Sequence, residues 1–506
     1  MVFPVLAGVL LALSFPPAPM WPLIVPAMAL YFYNAADQKK TWREVWWGSF
    51  ITGGILGLWI TYNGLGHMDT LMGASFFSYL VRLSPLLFLV LFGDVFAATA
   101  LAYRFLLTHS PLFNALLGAA LYTAGEMFQQ YILNGYYWGS FAHPFAAFPP
   151  ALTFASLGGT FFVSFLVAFI ACIIAQLARD TQTAWRGALI LCAGLAVIYA
   201  AAVELNPPTQ KTGSLSIATV QAIEQDLDSE GSFIAGAVVD HLREAGRSGS
   251  NLVVYPYTPT WGIVYAGPKP ASTVHGLPIA DASLLDIKEW IEDKVAPGSV
   301  AVVWPTLYDS SRDLFFKPTL FYKEGKTIAE YRKQQLYLYS DYYPDWMNKL
   351  GIVERDSSIT AGERKDYTPV GSWRVGNLDC SEIDQPELAR RAARASDFLL
   401  SIGSDSMFQN GGPADYSLAA SRYRAAENHI SLLRSALYGP SAIIDPYGAI
   451  IKSMPESVGG VLYGTLDYYA PQQTVYNRFG PAPVYAGVVL ILLLAIGWKY
   501  GKRRHD

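Results

Sequence analysis

The chain has 506 residues, 52% of them hydrophobic and 15% charged, with a formal net charge of −4. Soluble globular chains carry about 25% charged residues, so this composition excludes a wholly soluble protein, and the length excludes a single ordinary domain. No basic block of the size that nucleic acid requires is present, and no nucleic-acid partner is expected.

In chain order, apolar stretches run near 2–15, 19–35, 45–63, 82–105, 112–132, 152–178 and 187–203, with another near 483–499. A bilayer core of about 30 Å is crossed by about 20 mostly apolar residues, so about eight transmembrane helices are expected. The first stretch has the length of a signal peptide. It lacks a basic flank and continues through Phe15-Pro16-Pro17 into the second, so it reads as a helix. Lys and Arg gather in the loop 37–43, at Arg104, between Arg179 and Arg186, and from Lys499 to Arg504; the loops around 64–80 and 133–151 are nearly free of them. The positive-inside rule puts the basic segments in the cytoplasm. Residues 204–482 are then expected outside, in the periplasm of a bacterial inner membrane. Glu126 lies within an apolar stretch, where an ionisable group is costly; a functional role and a hydrogen bond closing the helix packing are both open.

Composition changes after Glu204-Leu205-Asn206-Pro207-Pro208. Short β-branched runs follow at 215–220, 252–255, 300–304, 398–402, 441–444 and 460–464, and amphipathic helical stretches lie near 233–245, 281–294 and 417–433. Strands alternating with helices predict an α/β unit. The turn Asp445-Pro446-Tyr447-Gly448 adds hairpins, and so a mixed sheet. The expected organisation is a helical membrane domain over 1–205, an α/β domain over 206–475, and a final membrane helix with a basic tail over 476–506.

Three cysteines are present, and Cys172 and Cys192 fall in apolar stretches as small buried hydrophobes. Cys380 alone lies in the α/β region, without a disulfide partner in a compartment expected to be oxidising. Its setting, Val375-Gly-Asn-Leu-Asp-Cys380-Ser-Glu-Ile, reads as a strand end running into a helix start. Backbone N–H groups at such an elbow lower a thiol's pKa and hold an oxyanion. On these residues alone, a structural and a nucleophilic cysteine are both open. The seven histidines are scattered with no ligand-like pair, so no metal is expected. Gly411-Gly412-Pro413 reads as a turn, since no Lys-Ser/Thr follows it.

Taken in order, several segments resemble the apolipoprotein N-acyltransferases, whose outer domain has the nitrilase (carbon–nitrogen hydrolase) fold. They are Gly125-Glu126-Met127, Gly135-Tyr-Tyr-Trp138-Gly-Ser-Phe141, Leu157-Gly-Gly-Thr-Phe-Phe-Val-Ser-Phe-Leu166, Tyr331-Arg-Lys333-Gln-Gln-Leu336, Ser340-Asp341-Tyr-Tyr-Pro344, Cys380-Ser381-Glu382, and the run from Ser404-Asp405 through Arg422, Glu427 and Ser435 to Gly448. The resemblance implies an αββα sandwich and a monomer without cofactor. It also implies a two-step acyl transfer, in which a cysteine takes a fatty acyl chain from a phospholipid as a thioester and passes it to the N-terminal amine of a diacylated lipoprotein. Dividing ester-to-amide exchange in this way replaces one difficult step with two easier ones.

By the same resemblance Cys380 attacks, Lys333 stabilises the oxyanion, and Gly135, Trp138 and Ser381 belong to the substrate surface. The family's general-base Glu follows a Trp-Pro pair; this chain has Tyr255-Pro256-Tyr257, which puts Tyr257 at that position. A phenol, with an ordinary pKa near 10, is a poor base at neutral pH. Asp341 stands where the family has Glu, and Ser381 where it has Tyr. Two readings follow. Either acyl transfer persists, on a lipoprotein or another membrane-anchored protein, with Asp379, Glu382 or Asp341 supplying the base or Lys333 ionising Cys380; or the chain is an impaired relative that binds lipid or lipoprotein without turnover. A nitrilase-like amidase acting on small molecules is a third reading, against which the apolar stretches argue.

Overall fold

The computed structural model describes residues 2–17, 20–65, 76–133, 135, 138–179, 181–205, 210–222, 237–256, 263–274, 277–337, 341–342, 349, 358–405, 412–456, 458–470 and 473–502. Two compact units are formed. One comprises Met1–Pro207, Asn410–Ala419 and Gln473–Asp506, and the other Pro208–Gln409 and Ala420–Gln472.

The first unit is helical. Its longest helices are Trp42–Leu65, Phe76–Leu106, Pro111–Ile132, Pro149–Leu177, Thr181–Leu205 and Ala482–Lys502. Gly53 and Gly57 let the first two approach closely, for a Cβ on either would run into the backbone carbonyl of Phe92 or Phe88. Gly159 interrupts Pro149–Leu177 with φ +73° and ψ −169°, a conformation that only glycine adopts readily.

The expectation of about eight spans is corrected here. Among the described residues, three helices are long and apolar enough to cross a bilayer: Leu83–Leu106, Pro149–Leu177 and Ala482–Tyr500. The physical reasons differ by segment. Val2–Leu13 and Ile24–Ala35 have 12 residues each, about 18 Å at the helical rise. Trp42–Leu65 and Pro111–Ile132 are long enough, but they carry Arg43, Glu44 and Asn63, and Asn114, Glu126, Gln129 and Gln130 respectively. In Thr181–Leu205 the apolar part of the described residues is only Cys192–Leu205.

The basic residues of this unit gather at one end. Arg104 donates to the carbonyls of Asp37 (2.5 Å) and Lys40 (2.6 Å), Arg179 donates to that of Ala36 (3.0 Å), and the Lys499 ammonium lies 4.9 Å from the Phe105 ring centre. Glu126 is buried and accepts hydrogen bonds from Ser140 Oγ (2.7 Å) and Ser164 Oγ (3.0 Å), so it ties two helices and a loop together.

The second unit is an α/β sandwich. Strands Lys326–Arg332, Pro318–Lys323, Val300–Val303, Leu252–Tyr255, Lys211–Gln221 and Gly460–Tyr469 lie side by side in that order. The second sheet runs Thr368–Val370, Trp373–Asp379, Phe398–Ser404, Leu432–Leu437, Ser441–Ile444 and Ile450–Met454. Each sheet has a parallel centre and antiparallel edges. The sheets face each other across a core of Leu215, Ile217, Val254 and Val302 from one and Val375, Phe398, Leu400 and Ile402 from the other.

Helices cover the outer faces. Ala237–Arg247 turns Leu242 and Ala245 inward, and Leu284–Lys294, started by a Ser283–Asp286 capping box, turns Ile287 and Ile291 onto the same cluster. Pro386–Ala395 begins with proline in its first turn and buries Leu388, Ala389, Ala392 and Ala393. A smaller five-stranded sheet, Thr273–Val274, Leu277–Ser283, Ile263–Ala266, Thr306–Asp309 and Leu314–Phe316, completes the unit.

Candidate active site

Strand Trp373–Asp379 pairs in parallel with Phe398–Ser404 and ends where Cys380 opens a 3-10 turn, Cys380–Asp384. Cys380 has φ +54°, in the left-handed region that non-glycine residues rarely occupy. Such strain concentrates at functional turns, and here it lifts a half-buried thiol off the end of the sheet. Gly403, on the neighbouring strand, makes room for the turn: a Cβ there would lie 3.2 Å from Cys380 Cα.

Two residues on, Glu382 is fully buried and saturated with donors. Its Oε2 accepts from Asp379 N (2.8 Å) and Tyr331 Oη (2.9 Å), and its Oε1 from Gln334 N (2.7 Å) and Gln335 N (2.9 Å). One carboxylate therefore joins the cysteine turn to the segment Tyr331–Gln335, which carries Lys333. Burial raises the Glu382 pKa above the usual carboxylate range, against the hydrogen bonds and the Lys333 charge.

Lys333 is 1% exposed and its ammonium contacts Asp341 Oδ2 directly. Burial works against the charged amine, but the Cys380, Asp341 and Glu382 charges together outweigh it and hold the Lys333 pKa above the ordinary lysine value. The group stays an ammonium beside the sulfur. Asp341 also accepts from Tyr337 N (2.8 Å), and its own N–H donates to Tyr337 O (2.8 Å). Asp379 is buried, accepts from Thr319 Oγ1 (2.7 Å), and is pushed well above the carboxylate range by burial and then by Glu382.

Cys380, Ser381, Glu382, Lys333 and Asp341 are thus drawn into one neighbourhood of the α/β unit, with Ser381 half-buried on the cysteine turn. Tyr257 lies outside the described residues. Gly135 and Trp138 belong to the helical unit: Gly135 has φ +93° and donates to Gln130 O (2.9 Å), and Trp138 is buried with its ring stacked on Tyr416 at 6.4 Å. Among the described residues no cluster of three or more His, Cys, Asp or Glu is placed to hold a metal ion.

Two further residues escaped the sequence reading. Asp384 closes the 3-10 turn that Cys380 opens; its Oδ1 is enclosed and has no hydrogen-bond partner among the described residues. Tyr337 lies where the Asp384, Cys380 and Asp341 charges all reach it, and burial first, then those charges, pushes its pKa well up. The only sequence signal was spacing: Asp384 is four residues after the thiol and Tyr337 four after the lysine.

A half-buried cysteine at a strained strand end, a buried lysine–aspartate pair tied to its turn through Glu382, and two facing sheets with helices outside them make up the candidate site and its αββα frame. Residues 200–474 match the carbon-nitrogen hydrolase model, and residues 7–173 match that of the apolipoprotein N-acyltransferase N-terminal domain. The chain belongs to the carbon-nitrogen hydrolase family. It is a distant relative of the apolipoprotein N-acyltransferases, being 27% identical to that of Azotobacter vinelandii over 99% of this chain and 94% of that protein. It is 26% identical to that of Pseudomonas putida over 97% and 94%. Among solved structures, Saccharomyces cerevisiae Nit3, a member of branch 10 of the nitrilase superfamily, matches 54% of this chain and 96% of its own, at a TM-score of 0.36 and 17% identity.

Proposed function

We propose that this protein is a membrane-bound N-acyltransferase that carries a fatty acyl chain on Cys380. The observation that carries the reading is the Cys380 thiol on its strained turn, beside an ammonium that a shared carboxylate, Glu382, holds in register. In the first step the sulfur attacks a phospholipid ester carbonyl, Lys333 stabilises the oxyanion, and the lysolipid alcohol leaves. In the second, the α-amine of a diacylated lipoprotein attacks the thioester and regenerates the thiol. Asp341 keeps Lys333 charged, Glu382 positions the two halves, and Ser381, Gly135 and Trp138 contribute to substrate contact.

The domain division at 205 and 475, a bacterial inner-membrane location and a periplasmic α/β domain are part of this proposal. The location is supported by the basic end formed by Lys40, Arg104, Arg179 and Lys499. A cytoplasmic position for that end satisfies the positive-inside rule, and in the chain the α/β unit follows helix Thr181–Leu205.

Intact mass of the membrane-purified protein tests the proposal. The expected result is a labile acyl adduct on Cys380 that is absent from Cys380→Ser and is discharged by a diacylated lipopeptide. Tyr257, at the position where relatives of this type are expected to carry a carboxylate, favours the second reading, a silent binder. No adduct together with intact lipopeptide binding would establish that alternative.

A further inference from the structure

Two lysines lie at neighbouring strand ends of the first sheet, one step past the Arg332–Pro318 pair, and they differ in their partners. Lys333 is held by Asp341. Lys317, just ahead of strand Pro318–Lys323, is half-buried, and its ammonium makes no hydrogen bond or ion pair with any described residue. It rests over the Trp304 ring instead, 4.0 Å from the ring centre. An ammonium has three donors, and a ring face attracts its charge from one side only. The other donors are left for an acceptor that the described residues do not supply.

Register and hydrogen bonds place this cation at the Cys380 end of the sandwich. Strand Pro318–Lys323 runs antiparallel to Val300–Val303 with Leu320 opposite Val303, so Thr319 lies beside Trp304 one step on. On its other side Thr319 is opposite Tyr331. Thr319 Oγ1 donates to Asp379 Oδ2 (2.7 Å) and Tyr331 Oη to Glu382 Oε2 (2.9 Å), so this row faces the cysteine turn. Trp304 is 5% exposed and belongs to the apolar cluster between the sheets, against which Cys380 itself packs. Lys317 stands two residues before Thr319, about 7 Å along an extended chain. Asp379 does not neutralise it: the two form no ion pair, and burial, then the Glu382 charge, hold Asp379 well above the carboxylate range although Lys333 and Lys317 oppose them.

We propose that Lys317, held on the Trp304 ring, binds the phosphodiester of the acyl donor and so seats the donor's ester at Cys380. The inference rests on the acyl-transfer reading above and names the group by which the donor is recognised. A phospholipid carries its phosphate one glycerol unit from its acyl esters, a span comparable to the step from Lys317 to Thr319. The two lysines then divide the work. Lys333, with its internal counter-ion, meets an oxygen that becomes negative only as sulfur attacks. Lys317, without one, meets a group that is negative throughout. A lysine laid on a buried ring also has less freedom to lose when its ligand arrives.

The test uses full-length Cys380→Ser protein in an uncharged detergent, so that no chemistry intervenes, and two soluble lipids with the same acyl chains. One is dihexanoyl phosphatidylglycerol; the other, dihexanoylglycerol, lacks the phosphate. Calorimetry gives each dissociation constant, and each lipid is compared between Lys317 and its variants, which cancels partition into detergent. Lys317→Met keeps the aliphatic stem and removes the charge. It is expected to weaken phosphatidylglycerol about tenfold more than dihexanoylglycerol. Lys317→Arg keeps a cation that stacks on an indole and is expected to bind phosphatidylglycerol more tightly than Lys317→Met does. Binding of phosphatidylglycerol to the Lys317 protein should also weaken with added salt more than that of dihexanoylglycerol.

Equal losses on the two lipids in Lys317→Met would mark a packing role and overturn the proposal, as would no loss on phosphatidylglycerol. Displacement of the lipid by an equal concentration of inorganic phosphate would mark a free-phosphate site and overturn it too. If Lys317→Met does not fold, the protein with Lys317 intact decides: equal salt dependence for both lipids sinks the idea. The acyl-transfer reading fails separately, by the absence of a Cys380 adduct from phosphatidylglycerol in wild-type protein whose Cys380→Ser form binds that lipid through Lys317.

Discussion

Glu382→Gln tests whether one carboxylate holds the nucleophile and the lysine in register. Glutamine preserves the shape, and its single oxygen can keep the two amides of Gln334 and Gln335, now at 2.7 and 2.9 Å from Oε1. Its NH2 group then faces the Asp379 N–H, which donates to Oε2 at 2.8 Å, and that bond becomes a clash of two donors. A hydrogen bond to a charged acceptor contributes about 1.5–3 kcal/mol. Relief from burying the carboxylate charge offsets part of the loss, so a local cost of about 2 kcal/mol is expected, equivalent to about 30-fold in an opening equilibrium. Native-state hydrogen exchange reads it directly, because local openings appear at the amides they release. The Asp379, Gln334 and Gln335 amides should exchange about 30-fold faster in the variant, with Val253 and Val254 in the first sheet unchanged, and acylation of Cys380 should slow in parallel. Unchanged protection at all three amides would mean that Glu382 is not the tie between turn and strand.

Gly403→Ala puts a methyl group 3.2 Å from Cys380 Cα, so the turn must shift by a few tenths of an ångström. Cys380 acylation, timed by intact mass, should slow about tenfold, equivalent to about 1.4 kcal/mol, in a protein that still folds; an unchanged rate would show that the turn tolerates the displacement. Cys380→Gly should be more stable than Cys380→Ala by about 1 kcal/mol, since only glycine occupies φ +54° without cost, and urea melts of the two variants at one pH decide it. Asp384 carries a pH signature in stability. Its folded pKa of about 7 lies above its unfolded value, so the folded state prefers the protonated acid. That preference stabilises fully below about pH 4 and is lost as pH rises to 7. Asp384→Asn, always neutral, should therefore raise stability over wild type at pH 8 by at most about 4 kcal/mol and change little at pH 4; an equal shift at both pH values in urea melts would refute this linkage.

The α/β unit was largely legible because its central strands are buried on both faces and must be continuous apolar runs. Leu252–Tyr255 and Ser441–Ile444 emerge with the bounds the sequence suggests. The helix expected over 417–433 instead ends at Asn428. His429 turns with φ +48°, and Leu432–Leu437 becomes a strand, a break that no Gly or Pro announces. The small sheet was invisible because strands such as Leu314–Phe316 and Thr306–Asp309 are three or four residues long and half-exposed in part. In the helical unit, counting apolar residues overstated the spans, since it passed over the polar groups that Pro111–Ile132 turns inward: Asn114, Glu126 and Gln129.

The site was legible in its chemistry and not in its division of labour. Asp341, Asp379 and Glu382 are interchangeable to a reader of sequence, each open as a helper or as nothing, and Asp384 drew no notice at all. Their hydrogen bonds separate them. Asp341 is committed to the lysine, Asp379 is held by a hydroxyl and pushed toward neutrality, and Glu382 is committed to four donors. A group that moves a proton must leave a lone pair unclaimed, since a saturated carboxylate has to break a bond before it can accept. By that criterion Glu382 and Asp341 are set aside, while Asp379 and Asp384, at the two ends of the turn that strains Cys380 into view, each keep one buried oxygen that no described residue engages.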